Sequence, residues 1–271
     1  MARFTVKGVN IFAEQFHEDC TRTLVLLHGF TGSRKTWQHI VPKLTDFHVV
    51  TIDLIGHGQT DAPEDSIHYS MAAQTELLEA LFEQLGLKSF SLLGYSMGGR
   101  VALSYAVRYP ERIEKLLLES ASPGLVADEE RAARKRADDT LAEKIFENGI
   151  VSFVEKWENI PLFASQKALP ASVQHEMRQE RLMQRETGLA GSLRGMGTGV
   201  MPSMWHELPL LQFPVVLLTG SLDEKFENLA KKMLKSLQNG RHVSIIGAGH
   251  AIHVENPTKF ATIVKEMISE D

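Results

Sequence analysis

The sequence predicts an α/β protein built on a mostly parallel, doubly wound sheet. Three observations carry that expectation. Near-continuous apolar runs recur along the chain, as strands buried on both faces require. Helical patterns separate most of them, so the strands are joined by crossover helices and lie parallel. The length, 271 residues at 43% hydrophobic, is enough to fill one sizeable core.

Taken in order, residues 3–16 alternate apolar and polar around Lys7-Gly8 and predict a hairpin. The apolar runs follow at 23–28, 47–54, 89–95, 115–120, 214–220 and 241–246. Residues 70–86 place Leu77, Leu78, Leu81 and Leu85 at helical spacing, with Ser70 as N-cap and Gly86 as stop. Helices are also expected over 97–109, 225–238 and 256–269, the last opened by Asn256-Pro257. The rhythm breaks between 121 and 206, which is helical in character without a strand-like run. The predicted organisation is therefore a core of residues 1–120 and 207–271 with a helical cap, 121–206, inserted over the active site.

Charge narrows the function classes. The chain carries 29 basic and 34 acidic residues, a net charge of −5, which argues against nucleic acid as a partner. One cysteine, Cys20, excludes an internal disulfide and a CxxC metal site. No apolar run has the length of a signal peptide or a membrane span, so a cytoplasmic protein without a membrane partner is expected. There is no P-loop, no GxGxxG fingerprint and no metal-spaced histidine cluster. The insertion holds seven of the fourteen arginines but only four of the fifteen lysines, with twelve acids against eleven bases. It is not a basic arm; its cations are the type that grips carboxylates two-handed.

The chemistry concentrates around Gly94-Tyr95-Ser96-Met97-Gly98, a GxSxG sequence between a predicted strand and a predicted helix. That context is the nucleophile elbow. A serine needs a base and the base an orienting acid, in the chain order serine, acid, histidine. Asp223 follows the strand at 214–220 and His250 follows the strand at 241–246, so both sit at strand ends suited to those roles. His253 is the alternative histidine. Asp53 and His57, within DLIGHG, are expected to shape a turn, and His28 to brace the loop after the first buried strand. The backbone N–H groups of Phe30 and Met97 make a two-donor oxyanion hole. Lys231, Lys232 and Lys235 fall on a polar helix face and are expected to be solvated.

The segments HGF (28–30), DLIGHG (53–58), GYSMGGR (94–100), GSLDEKF (220–226) and GAGHAIHVENP (247–257) resemble the α/β-hydrolase superfamily. Within the insertion, SPGL (122–125), ERAARKRADD (130–139), the WxxxPLFAS pattern (157–165) and RLMQRETGLAGSLRGMGTG (181–199) are similar to one family of it, the 2-succinyl-6-hydroxy-2,4-cyclohexadiene-1-carboxylate synthases. The resemblance implies a lyase of menaquinone biosynthesis. It implies that Ser96, His250 and Asp223 act as a base that eliminates pyruvate, with no cofactor, from a small polycarboxylate substrate. It also implies substrate contacts from Arg134, Arg181 and Arg100, with Arg178 the neighbour that competes with Arg181. Tyr95 and Trp157 are candidate pocket walls.

Three rivals remain at this stage. A carboxylesterase or thioesterase uses the same triad but wants an apolar acyl pocket. A carbon–carbon bond hydrolase shares both triad and taste for carboxylates. A non-catalytic receptor on a hydrolase scaffold has no need of an intact triad.

Overall fold

A computed structural model describes residues 2–270. The chain opens with the expected hairpin, β1 (Ala2–Val6) and β2 (Val9–Phe16). Lys7 and Gly8, between them, both have positive φ, 49° and 79°, as a two-residue hairpin turn requires. Six further strands follow: β3 (Thr23–Leu27), β4 (His48–Ile52), β5 (Phe90–Tyr95), β6 (Ile113–Glu119), β7 (Val215–Gly220) and β8 (Gly240–Ile245). The sheet order is β1-β2-β4-β3-β5-β6-β7-β8. The β1–β2 and β2–β4 pairings are antiparallel, and every other pairing is parallel.

The runs of β3 to β7 became strands because both of their faces are covered; the run at 241–246, expected to be buried likewise, forms the edge strand β8, where Arg241 and Ser244 are exposed. Along β3, Leu24 and Leu26 enter one core while Val25 and Leu27 enter the other. One core is roofed by α1 (Met71–Gln84) and α2 (Met97–Arg108). Ser70 caps α1 by accepting the Ala73 N–H at 3.2 Å, and the chain turns away at Gly86, φ 71°. Between β6 and β7 lie three α-helices, two 3-10 turns and no strand. The α-helices are α3 (Asp128–Trp157, broken at Gly149), α4 (Ala171–Leu182) and α5 (Glu186–Met196). Their own small core, around Ala142, Ile145, Val154 and Leu189, packs onto Phe30. The chain returns through α6 (Glu224–Leu234), α7 (Ile252–Glu255) and α8 (Pro257–Ser269), with Asn256 capping α8 as expected. α6 ends four residues earlier than its apolar spacing predicts, yet Leu237 beyond it still reaches the core of Met233. α8 and the segment around Trp37 and Phe47 cover the opposite face of the sheet. Strands β3 and β5 to β8 therefore all deliver their C-terminal ends to one edge, where the site forms. No helix among the described residues is long and apolar enough to cross a membrane.

Candidate active site

Ser96 joins β5 to α2 with φ 51° and ψ −104°, a backbone conformation costly for any residue but glycine. The strain is held in place from several sides. The Ser96 N–H donates to the Glu119 carbonyl at 2.8 Å. Side chains are excluded around it. A Cβ at Gly94 would overlap the Gly98 backbone, one at Gly98 the carbonyls of Leu27 and His28, and one at Gly99 the Ala121 side chain. The glycines of the motif thus let α2 press against the end of β3, which lifts the Ser96 hydroxyl to the sheet edge.

His250 and Asp223 arrive from the next strand ends. His250 Nε2 lies 3.1 Å from Ser96 Oγ, and His250 Nδ1 lies 2.6 Å from Asp223 Oδ2. Both are buried, His250 at 1% exposure and Asp223 at 7%. Asp223 also caps α6, its other oxygen accepting the Phe226 N–H at 3.3 Å. Glu255 clamps the loop carrying His250 by accepting the amides of Gly249 (2.6 Å) and Ala251 (3.3 Å). A Cβ at Gly220 would overlap the carbonyls of Ala248 and Gly249, so the acid and base loops sit in direct contact. The geometry is a nucleophile–base–orienter relay.

His253, the alternative histidine, is turned away. Its backbone N–H and Nδ1 both engage the fully buried Glu119 carboxylate, at 3.1 and 2.8 Å. Tyr95 lies between the two imidazoles, 5.4 Å from His250 and 4.6 Å from His253. Burial pushes its phenol well above the ordinary range. Glu119 was not anticipated from sequence, because it ends an apolar run and resembles an ordinary strand terminus.

The loop after β3 is braced as expected. His28 is fully buried; its Nε2 accepts the Leu54 N–H at 3.0 Å and its Nδ1 faces the Gly29 carbonyl at 2.8 Å. Burial lowers its pKa to about 4. His57 packs beside it and engages the Ile55 carbonyl at 3.0 Å. Asp53 binds the Arg34 guanidinium and amide, both at 2.6 Å, and the Gln59 amide at 2.9 Å. Its role is to hold the turn. Neither the Phe30 nor the Met97 amide has an acceptor among the described residues, so both remain available as donors.

A cavity of about 530 Å3 opens onto Ser96 and His250. Its walls include Phe30, Tyr95, Met97 and Trp157. Trp157 stands edge-on to Phe30 with centroids 5.3 Å apart, stacks on Phe153 and leaves its indole N–H without a partner. Arg100 and Arg134 line the same cavity. The Arg100 guanidinium donates to the Met196 carbonyl at 2.6 Å, and among the described residues it has no ion pair. Burial, then the charge of Arg134, lowers its pKa to about 10, so it stays cationic at neutral pH. Arg134 is 44% exposed and bonds Asp138 at 2.8 Å, a carboxyl that burial pushes up.

Arg181 is placed differently. It does not reach the main cavity but lies behind Phe163, its guanidinium 5.0 Å from that ring and 3.0 Å from Gln166 Oε1. The small cavity it lines shares Phe30, Tyr95 and Phe163 with the main one. Arg178 is farther out, paired with Glu158 and lining an outer pocket that contains no triad residue. Lys231 is exposed and pairs with Glu227, and Lys232 is exposed as expected but also lines the main cavity. Both lysines fall on a polar face, and periodicity does not say that this face overlooks a cavity. No group of three or more metal-ligating side chains occurs among the described residues.

An elbow serine, a strand-end acid and a strand-end histidine on this sheet define an α/β-hydrolase site. Known proteins agree: a family profile for the alpha/beta hydrolase fold matches residues 22–257. The chain is 43% identical to a Bacillus subtilis protein provisionally named 2-succinyl-6-hydroxy-2,4-cyclohexadiene-1-carboxylate synthase, over 97% of this chain and 96% of that one. It is 33% identical to the synthase of that name from Salmonella typhimurium, over 88% and 90%. MenH from S. aureus superposes with a TM-score of 0.91 at 39% identity, over 95% of this chain and 97% of that one. The chain belongs to the alpha/beta hydrolase family and, within it, to the 2-succinyl-6-hydroxy-2,4-cyclohexadiene-1-carboxylate synthases.

Proposed function

We propose that this protein is a carbon–oxygen lyase of menaquinone biosynthesis. It eliminates pyruvate from 2-succinyl-5-enolpyruvyl-6-hydroxy-3-cyclohexene-1-carboxylate and leaves 2-succinyl-6-hydroxy-2,4-cyclohexadiene-1-carboxylate. The observation that carries it is a Ser96–His250–Asp223 relay facing a cavity with cationic walls, in a chain so similar to those synthases along its whole length. No step needs a cofactor.

In this reading Ser96 removes a proton from the ring carbon beside the succinyl ketone. The proton passes to His250, and Asp223 stabilises the imidazolium. Charge spreads onto the ketone oxygen, where the Phe30 and Met97 amides stabilise it. The ring diene forms as the carbon–oxygen bond to enolpyruvate breaks. The proton goes to the departing group, which becomes pyruvate, and no water is consumed. Arg100 and Arg134 hold carboxylates of the substrate, Arg181 backs the wall that Phe163 forms, and Tyr95 and Trp157 shape the pocket. Residues 121–206 serve as a cap over a core formed by 1–120 and 207–271.

An esterase of similar architecture, from Thermogutta terrifontis, superposes with a TM-score of 0.85 at 26% identity, over 98% of this chain and 97% of that one. The arginines of this cavity favour an anionic substrate over a simple acyl ester. Pyruvate release from the cyclohexene substrate, set beside turnover of a p-nitrophenyl ester, tests the assignment. Fast pyruvate release with slow ester hydrolysis is expected; the reverse overturns it.

A further inference from the structure

We propose that helix α6 supplies a second set of carboxylate-recognising cations, Lys225 and Lys232, at the mouth of the active-site cavity. This rests on the polycarboxylate-lyase assignment above and extends it to residues outside the elbow and the inserted helices.

Helical spacing is the first point. Lys225, Asn228, Leu229 and Lys232 all line the cavity. Positions i, i+3, i+4 and i+7 form one stripe of a helix. The stripe therefore begins and ends on a lysine, about 10.5 Å apart along the axis. Lys231, between them in sequence, points elsewhere and is neutralised by Glu227 at 3.4 Å. Neither Lys225 nor Lys232 has an ion-pair partner among the described residues.

Position relative to the chemistry is the second point. The Lys225 ammonium stands 5.3 Å from the Phe226 ring centroid, and the Phe226 ring lies 4.7 Å from that of His250. One cation is thus a single ring away from the catalytic base. The charge balance is the third. Arg100, Arg134, Lys225 and Lys232 line the cavity against one carboxylate, Glu130, although the protein as a whole is at −5. A local excess of positive charge in an acidic protein is an electrostatic funnel for anions.

The proposed substrate carries three carboxylates: one on the ring, one on the succinyl arm and one on the enolpyruvyl group. The arginines and the α6 lysines occupy different elements of the cavity wall, so the substrate is gripped from more than one side. The lysines are exposed, and their contribution is capture and selection of the polyanion rather than stabilisation of the transition state.

The test is steady-state pyruvate release by Lys225→Gln, Lys232→Gln, the double variant and Lys231→Gln, each across a range of ionic strength. An exposed charge pair is worth little, so each single change should lower kcat/KM by about two- to fivefold with kcat unchanged. The double variant should show a weaker salt dependence than the wild type, since fewer screened charges remain. Lys231→Gln should match the wild type in both respects. If the double variant matches Lys231→Gln, the recognition role is overturned while the lyase assignment stands. If the wild type releases no pyruvate from this substrate, the assignment fails and the inference fails with it. All three side chains are exposed at the surface, so loss of folding does not obscure the result.

Discussion

Glu119 accepts the Ser96 N–H through its backbone carbonyl at 2.8 Å, while its buried carboxylate holds His253, three residues beyond His250. One residue at the end of β6 therefore ties the strained turn at Ser96 to the loop that carries His250. Glu119→Ala leaves the His253 donors buried without an acceptor, which costs about 1–3 kcal/mol for each unsatisfied group. We expect a lower denaturation midpoint and a lower kcat, with KM little changed. Glu119→Gln retains one side-chain acceptor and should fall between. A Glu119→Ala protein as stable and active as the wild type would remove this link.

The triad prediction follows from the 3.1 and 2.6 Å contacts. Ser96→Ala, His250→Ala and Asp223→Asn should each reduce kcat by roughly 10²–10⁴-fold, and a double variant should lose little more than the worst single one. His253→Ala should show its effect first in stability. An inactive, stably folded His253→Ala beside an active His250→Ala would reverse the histidine assignment.

Much of this was legible in the chain. Hydrophobic runs located β3 to β7 because a strand covered on both faces has no polar side to show; the run at 241–246 located β8 too, although that edge strand leaves Arg241 and Ser244 exposed. The Ser96–His250–Asp223 arrangement was legible because the elbow fixes the serine, and strand ends restrict where its partners can sit. What escaped depends on long-range packing. The 3-10 turn at Ser66–Tyr69 is specified by Tyr69 burying itself against Gly191 and Gly195 of α5, more than a hundred residues away. Arg181 and Arg134 belong to equally recognisable segments, yet one is behind Phe163 and the other in the cavity. Motif likeness carries no depth. Lys232 was missed for the same reason: a polar helix face looks alike over solvent and over a pocket.

The cavity arginines should separate by position. Arg134→Ala should raise KM by roughly tenfold, about 1.5 kcal/mol, the lower end for a charged hydrogen bond since the side chain is partly exposed. Arg178→Ala, outside the cavity and paired with Glu158, should leave KM unchanged. Initial rates over a substrate series decide this. Equal KM values for wild type and Arg134→Ala would make Arg134 merely a partner for Asp138.

Acid should unfold the protein through its buried histidines. Burial lowers His28 to about 4; burial, then the neighbouring His28, lowers His57 to about 3. Both are neutral in the folded state near neutrality. The unfolded chain takes up protons as pH falls through about 6.5, while the folded chain does not follow until the lower values. Stability is thus fully present above about 6.5 and lost between there and about 3, with a cost on the order of 3 kcal/mol per histidine at the acid limit. Urea midpoints at pH 7.5 and 5 should differ, and His57→Asn should shrink the difference. A pH-independent midpoint over that window would contradict the buried neutral state.

The last prediction separates this lyase from the hydrolases that share its site. In acyl transfer, Ser96 attacks a carbonyl and carries a covalent adduct for part of each cycle, and water then releases it. The elbow, the His250 contact and the two unpaired amides of Phe30 and Met97 suit either chemistry, so geometry near Ser96 is not the discriminator. The fate of water is. Elimination moves one proton from ring carbon to the departing enolpyruvate and breaks one carbon–oxygen bond; oxygen from solvent enters neither product in the chemical step. Rapid quench and intact-protein mass spectrometry should therefore find Ser96 unmodified throughout turnover. Reactions in labelled water should give a cyclohexadiene product without the label, and pyruvate labelled only to the extent of its own ketone exchange in solution. A substrate-derived mass on Ser96 that forms and decays at the turnover rate would sink the elimination mechanism, and labelled oxygen beyond that exchange would do the same.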